Sequence, residues 1–424
     1  VVAVTHGTPR TVAVPGDKSL SHRALMLSAL ATGTSQLEGL LPSADVLSTA
    51  ECLRRLGVDI PAVGPSIAVT GVGRRGLRAP TRDLDCGNSG TSARLLTGLV
   101  AGSGVPARFL GDASLSRRPM KRVTTPLQQM GARFELEAGD GLPMRIVHGV
   151  TQGIQYESPT ASAQIKSALL LAGLTAGVAV TVREPERSRD HTERMFTALG
   201  LPLLVEGTAV TLGATAQELP PFAFRVPGDP SSAAFFAALA LLTDISVTTS
   251  PIAVNPTRTG FFDVLVRMGA LITSEPLADE CGEPTGALTI RGTLDAAATV
   301  DGAAIPALID ELPLLACLAA YAPGESRVAD AAELRVKESD RITAVVTALR
   351  AIGADADERP DGFVVRGRPG ARYAGHVVTH GDHRLAMAFG VLGAVPGNAI
   401  TVDDPGCVGV SFPTFWDALA EVMR

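Results

Sequence analysis

Four lysines, Lys18, Lys121, Lys166 and Lys337, stand among 37 Lys and Arg residues in this 424-residue chain. Arginine stays charged, whereas lysine is a compact point charge that exchanges its proton when its surroundings favour it. Two of the four sit in dense polar motifs. Lys18 lies in "PGDKSLSHR", beside Asp17, Ser19, His22 and Arg23. Lys337 lies in "ELRVKESDR", which runs from Glu333 to Arg341 and includes Glu338. Read as a helix, that segment puts Lys337, Glu338 and Arg341 on one side. The acidic pair Asp310-Glu311 opens the preceding apolar segment. A lysine converging with a carboxylate pair has the composition of a proton-transfer site. Lys121 and Lys166 read as surface or stem-packing residues.

A second chemistry is suggested by cations where helices begin. Lys18, Arg23 and Arg384 fall near the starts of apolar helical segments, where the helix dipole disfavours positive charge. An anion is therefore expected with them. All six such starts are polar: Asp17-Lys18-Ser19, Asn88-Ser89-Gly90-Thr91, Ser162-Ala163-Gln164, Asp229 with Ser231-Ser232, Asp310-Glu311, and Asp382-His383-Arg384. N-capping accounts for Asp229 and Ser231, but not for the cations. Several helix N-termini in one cleft, reinforced by Lys and Arg, would hold a dianionic phosphate.

The elements that must position these groups repeat. Small-residue apolar segments, such as "SAQIKSALLLAGLTAG" and "SSAAFFAALALL", recur about every 70 to 80 residues. Their composition predicts helices buried on all sides. Amphipathic segments alternate with them and run into glycines at 57, 131, 200, 269 and 353, which suit left-handed C-caps before strands. Six units of about 70 residues divide into two domains of three. "VPGD" occurs at Val14 and again at Val226, each time ahead of the first buried helix of a half. The expected division is 16–226 against 1–15 plus 227–424, with a double-crossover hinge near 14–18 and 226–230.

Composition narrows the function classes. A formal net charge of -6 and 4% aromatics argue against nucleic acid. Five scattered cysteines form no CxxC pair and read as reduced thiols. No signal peptide is visible, and the longest apolar run, "AAFFAALALL", is about half a membrane span. The expected setting is therefore cytoplasmic, without membrane or nucleic-acid partners. "GVGRRG" at Gly71 matches a dinucleotide fingerprint, but no helix pattern follows, so it reads as a hairpin or loop. "HGDH" from His380 has metal-like spacing but lacks a third ligand.

Taken in order, "PGDKSLSHRA", "GNSGTSARLL", "LGDASLSRRPM", "SAQIKSALLLAGL", "RDHTERM", "LRVKESDRI" and "GDHRLAMAF" resemble the 5-enolpyruvylshikimate-3-phosphate synthase family, class II branch. The resemblance runs from about residue 12 to residue 416. It implies an α/β fold: a two-domain inverse α/β barrel, each domain three copies of a βαβαββ unit (the enolpyruvyl transferase fold). It also implies transfer of the enolpyruvyl group of phosphoenolpyruvate to the 5-hydroxyl of shikimate 3-phosphate, with loss of phosphate and no metal or organic cofactor. By motif, Lys18 meets both substrates. Ser19, Arg23, Ser162, Ala163, Gln164, Arg189 and Lys337 hold shikimate 3-phosphate. Gly90, Arg118, Gln164, Arg341 and Arg384 hold phosphoenolpyruvate. Asp310 accepts the 5-hydroxyl proton, and Glu338, with a lysine, shuttles the proton at C3. The family further implies a monomer and inhibition by glyphosate, for which Gly90 leaves room. Three positions depart from the class I pattern: Val410 replaces a lysine, Glu333 an asparagine and Ala163 a serine. The alternatives are the related transferase acting on UDP-N-acetylglucosamine, whose usual loop cysteine is absent from "GDASLSRRP", and a phosphate-binding homologue without catalysis.

Overall fold

A computed structural model describes residues 8–137 and 139–424. Residues 1–7, part of the expected N-terminal segment, lie outside the described residues. The chain divides into two units. One comprises Gly16–Val226 with Asp279–Glu283, and the other the segment ending at Pro15 with Pro227–Ala278 and Pro284–Arg424.

The first unit carries α1 (Lys18–Leu30), α2 (Ala44–Arg55), α3 (Gly90–Ser103), α4 (Lys121–Gln129), α5 (Ala163–Ala176) and α6 (His191–Ala198). Helices α1, α3 and α5 are the small-residue segments and are buried almost end to end. Their composition is what permits their packing. A Cβ at Gly98 would lie 2.0 Å from the Ala168 carbonyl oxygen, and one at Gly102 would lie 2.0 Å from Thr175 Oγ1. Alanine at either position would force α3 and α5 apart. Helices α2, α4 and α6 are amphipathic, with apolar faces inward.

Two four-stranded sheets in this unit share one plan. Leu84–Asp85 pairs parallel with Ala107–Leu110, which pairs antiparallel with Met144–His148, the partner of Arg133–Leu136. Ile154–Glu157, Val180–Arg183, Ala209–Leu212 and Leu203–Glu206 repeat that order. Each is strand, buried helix, strand, outer helix, hairpin. In the third sheet, Thr32–Glu38 pairs antiparallel with Ser66–Val72, and its parallel neighbour is the distant Ala223–Arg225. The "GVGRRG" run closes the strand Ser66–Val72 and enters a turn with no helix behind it.

The second unit carries α7 (Pro230–Thr243), α8 (Gly260–Arg267), α9 (Ile305–Leu308), α10 (Leu312–Ala319), α11 (Arg341–Ala351), α12 (His383–Ala394) and α13 (Phe415–Met423). Phe235 and Phe236 of α7 pack on Phe412 and Phe415, with edge-on rings 5.7 Å apart for Phe235 and Phe415. Arg10–Val12 pairs parallel with Val247–Thr249, which pairs with Thr285–Gly292. Thr299–Val300, Gly324–Val328, Gly362–Gly367 and Asp355–Arg359 form the next sheet. The last has only Ala374–Val377 beside Ala399–Val402, with α13 in place of a hairpin.

The two "VPGD" stretches follow the two displaced strands. Arg10–Val12 leads into α1 yet pairs in the sheet of α7, and Ala223–Arg225 leads into α7 yet pairs in the sheet of α1. Close backbone approach makes the glycine necessary: a Cβ at Gly16 would lie 1.9 Å from the Gly39 carbonyl oxygen. Asp279–Glu283, which the expected division left with the second half, groups with the first unit. The reason is a buried pair: Glu283 Oε1 lies 2.7 Å from His191 Nδ1, and both side chains are inaccessible. No single helix among the described residues is long and apolar enough to cross a membrane.

Candidate active site

In the first unit, three helix N-termini present the predicted anion-binding residues. Asp17 caps α1 by accepting from the Leu20 N–H, Ser89 caps α3 and Ser162 caps α5. Lys18 is the first residue of α1, and its Nζ lies 3.0 Å from Asp45 Oδ2. Ser19 follows, and its carbonyl accepts from Arg23 Nη1 at 3.0 Å. The other Arg23 nitrogens donate to hydroxyls, Nε to Thr192 Oγ1 at 2.8 Å and Nη2 to Ser167 Oγ at 2.7 Å. Burial pulls the Arg23 pKa down to about 10, which still leaves it charged at neutral pH. Arg189, on the loop before α6, is close enough that its charge also bears on Arg23.

Gly90 opens α3 between two buried guanidinium groups. A Cβ there would lie 2.9 Å from Arg94 Nη1 and 3.3 Å from Arg118 Nη1. Arg118 donates to Asn88 Oδ1 at 2.6 Å, and Asn88 donates to Asp112 Oδ2 at 2.6 Å. Arg94 donates to Gln164 Oε1 at 2.7 Å, and Gln164 Nε2 donates to Thr91 Oγ1 at 3.1 Å. Ala163 is the first residue of α5. Gly90, Arg118, Ser162, Ala163 and Gln164 are thus joined through α3 and α5, with Arg94 as a connecting residue absent from the predicted set. The signal for Arg94 was its spacing of four residues from Gly90, one turn along the same helix.

Lys121 is exposed at the start of α4, in line with a surface role. Lys166 is different: its Nζ is buried 2.7 Å from Glu184 Oε2 and 2.7 Å from Glu193 Oε1. Burial alone would lower its pKa, but the two carboxylates outweigh it and push the pKa up. This replaces the surface or stem-packing reading with a charged core residue. Its carboxylate partners are too distant in the chain for local spacing to reveal them.

In the second unit, Arg341 organises the cluster. Its Nε lies 2.8 Å from Asp382 Oδ2, its Nη2 2.7 Å from Glu338 Oε2, and its Nη1 3.3 Å from Asp310 Oδ1. Burial would lower the Arg341 pKa, but Asp382, Glu338 and Asp310 together drive it up. Asp382 responds in kind: burial pushes its carboxyl up, Arg341 outweighs that, and the pKa ends below the ordinary value. Lys337 Nζ reaches Asp310 Oδ1 at 3.4 Å, and Arg384 Nη2 lies 3.8 Å from Asp310 Oδ2. The helical placement of Lys337 and Glu338 is corrected. A 3-10 turn ends at Val336, Lys337 is extended, and α11 starts only at Arg341, capped by Asp340. Lys337 and Arg341 still meet at Asp310, and Glu338 joins them through Arg341. Val410 lies in the 3-10 turn Pro405–Val410, and Glu333 in that of Ala332–Val336.

The second "VPGD" does more than cap. Asp229 accepts from the Ser231 N–H at 2.8 Å and pairs with Arg258 Nη2 at 2.9 Å. The Ser231 hydroxyl donates to Glu311 Oε1, which also lies 3.3 Å from Arg384 Nη1. Glu311, expected to join Asp310 beside a lysine, thus holds the Arg384 guanidinium instead, and Arg258, absent from the predicted set, backs it through Ser231.

The chain and its fold have counterparts among known proteins. The profile of the family described as EPSP synthase (3-phosphoshikimate 1-carboxyvinyltransferase) matches residues 7–419. A 3-phosphoshikimate 1-carboxyvinyltransferase of Herpetosiphon aurantiacus is 46% identical over 416 residues, 97% of this chain and 96% of that protein. Its counterpart in Gloeobacter violaceus is 48% identical over 418 residues, with the same coverage. The EPSP synthase structure from Acinetobacter baumannii superposes with a TM-score of 0.84 at 38% identity, covering 98% of this chain and 97% of that one. Matched in sequence and in architecture along nearly its whole length, the chain belongs to the EPSP synthase family.

Proposed function

We propose that the protein is a 3-phosphoshikimate 1-carboxyvinyltransferase. It moves the enolpyruvyl group of phosphoenolpyruvate to the 5-hydroxyl of shikimate 3-phosphate and releases phosphate. Beyond family membership, the observation that carries this reading is the Asp310 cluster. One carboxylate is held among Lys337, Arg341 and Arg384, with a second, Glu338, on the same arginine. That arrangement suits a reaction that removes a proton from a hydroxyl while delivering another to carbon.

Asp310 takes the 5-hydroxyl proton as that oxygen attacks C2 of phosphoenolpyruvate. Glu338, next to Lys337, gives a proton to C3 and recovers one when the tetrahedral intermediate loses phosphate. Lys18, Ser19, Arg23, Ser162, Ala163, Gln164 and Arg189 in the first unit, and Lys337 in the second, serve shikimate 3-phosphate. Gly90, Arg118 and Gln164 in the first unit, and Arg341 and Arg384 in the second, serve phosphoenolpyruvate. Glyphosate is the inhibitor this reading brings with it, acting beside Gly90, and a cytoplasmic monomer is the form it brings. The deciding experiment is phosphate release from phosphoenolpyruvate, first with shikimate 3-phosphate and then with UDP-N-acetylglucosamine. Release with the sugar nucleotide alone reassigns the substrate, and release with neither favours a binding protein without catalysis.

A further inference from the structure

The buried Lys166 cluster has no part in the bond-making above, yet it adjoins residues that the proposed function assigns to the phosphate. The side chains of Lys166, Glu184 and Glu193 are 1%, 1% and 5% exposed. Burying such charges is not stabilising in itself, because desolvation offsets the attraction. The partners of Glu184 supply the reason. Its Oε1 accepts the Ser162 N–H at 2.8 Å, and its two oxygens accept the Ser188 hydroxyl at 2.7 and 2.8 Å. Ser162 caps α5, whose first N–H groups, at Ala163 and Gln164, have no acceptor within the helix. Ser188 immediately precedes Arg189.

The same two-residue step on two helices ties this cluster to Arg23. On α5, Lys166 binds the carboxylates and Ser167 binds Arg23. On α6, Glu193 binds Lys166 and Thr192 binds Arg23. Ser167 and Thr192 also bond each other at 2.7 Å. A shift of α5 against α6 would disturb the ion cluster and the Arg23 seat together.

We infer that Glu184, locked by Lys166, is a positioning residue for shikimate 3-phosphate: it fixes Ser162 and Ser188 so that the start of α5, Arg23 and Arg189 stand ready for the phosphate. The inference rests on the function proposed above. It assigns Glu184 no contact with substrate, and its effect falls mainly on shikimate 3-phosphate, which Ser162, Arg23 and Arg189 serve, while of the α5 start only Gln164 also serves phosphoenolpyruvate.

The test is calorimetric titration of the whole enzyme with shikimate 3-phosphate alone, together with steady-state kinetics for both substrates. Glu184→Gln keeps an acceptor for Ser162 but turns an amide N–H toward the Lys166 ammonium. It should weaken shikimate 3-phosphate binding about tenfold, the scale of one charge-assisted hydrogen bond. Ser188→Ala, the milder variant should Glu184→Gln not fold, loses a bond to the Glu184 carboxylate that steadies only the segment before Arg189, and should weaken it about threefold. KM for phosphoenolpyruvate should rise much less than that for shikimate 3-phosphate, and kcat at saturating shikimate 3-phosphate should stay unchanged. Wild-type affinity in a folded Glu184→Gln, or in Ser188→Ala if that is the only folded variant, overturns the inference alone. So does an equal rise in both KM values. A wild-type enzyme that does not bind shikimate 3-phosphate overturns the functional reading and this inference with it.

Discussion

Arg23 and Arg341 are both buried arginines of the proposed site, and they are held in opposite ways. Arg23 donates to two hydroxyls and a carbonyl, and its pKa falls. Arg341 meets three carboxylates, and its pKa rises. A guanidinium bonded directly only to neutral groups keeps its charge available for an incoming anion. One saturated by carboxylates is a fixed counter-charge that keeps Asp382 ionised and holds Asp310 and Glu338 in place. On the proposed function, the first arrangement suits recognition of a phosphate, and the second suits holding the acids that take and give protons. The chain thus uses one residue type for recognition in one unit and for orienting acids in the other.

The comparison breaks most visibly at Asp310. Asp310→Asn keeps the shape but cannot accept the proton, so kcat should fall about 10²- to 10⁴-fold while shikimate 3-phosphate still binds. Near-normal turnover would remove Asp310 from the mechanism. Next comes Arg23→Lys, which loses the fork that spans Thr192, Ser167 and the Ser19 carbonyl. The KM for shikimate 3-phosphate should rise about 10- to 100-fold, and an unchanged KM would mean that Arg23 is structural.

Gly90→Ala sharpens the picture on the phosphoenolpyruvate side, because its methyl group displaces the Arg94 and Arg118 guanidinium groups. The glyphosate inhibition constant should rise about tenfold, as for mild overpacking. Equal constants for wild type and variant would sink this reading.

The smallest effect concerns His22, one residue before Arg23. Burial, then the charges of Lys18 and Arg23, hold its pKa well below 6.5, so the folded state keeps it neutral. Its unfolded form gains a proton below about pH 6.5, and folding stability must fall as pH drops from there. The His22 contribution approaches about 1.4 kcal/mol per pH unit. Urea unfolding between pH 6.5 and 5 should show a shallower slope in His22→Asn. An identical slope would exclude His22 as the titrating group.

Much of this was legible in the residues. The small-residue helices had to be buried, and every one of the glycines at 57, 131, 200, 269 and 353 adopts positive φ after an outer helix. Polar starts on apolar helices pointed to anion binding. What escaped was pairing across long stretches of chain. Lys166 depends on carboxylates 18 and 27 positions away, and only folding brings Glu184 and Glu193 to it. Lys337 and Glu338 misled for the opposite reason. Their local spacing suits a helix, but Asp340 caps α11 at Arg341 and leaves both residues outside it.

The displaced strands carry a consequence for synthesis. Arg10–Val12 is made first, yet its partner Val247–Thr249 is more than 230 residues downstream. At about 5 to 20 residues per second, the ribosome leaves that strand unpaired for roughly 10 to 50 s. Ala223–Arg225 arrives 187 residues after its partner in Thr32–Glu38. Only the first unit must wait for its own last strand to close its first sheet, and a cut placed between Val226 and Pro227 would leave both displaced strands on one fragment and deprive the other of Arg10–Val12.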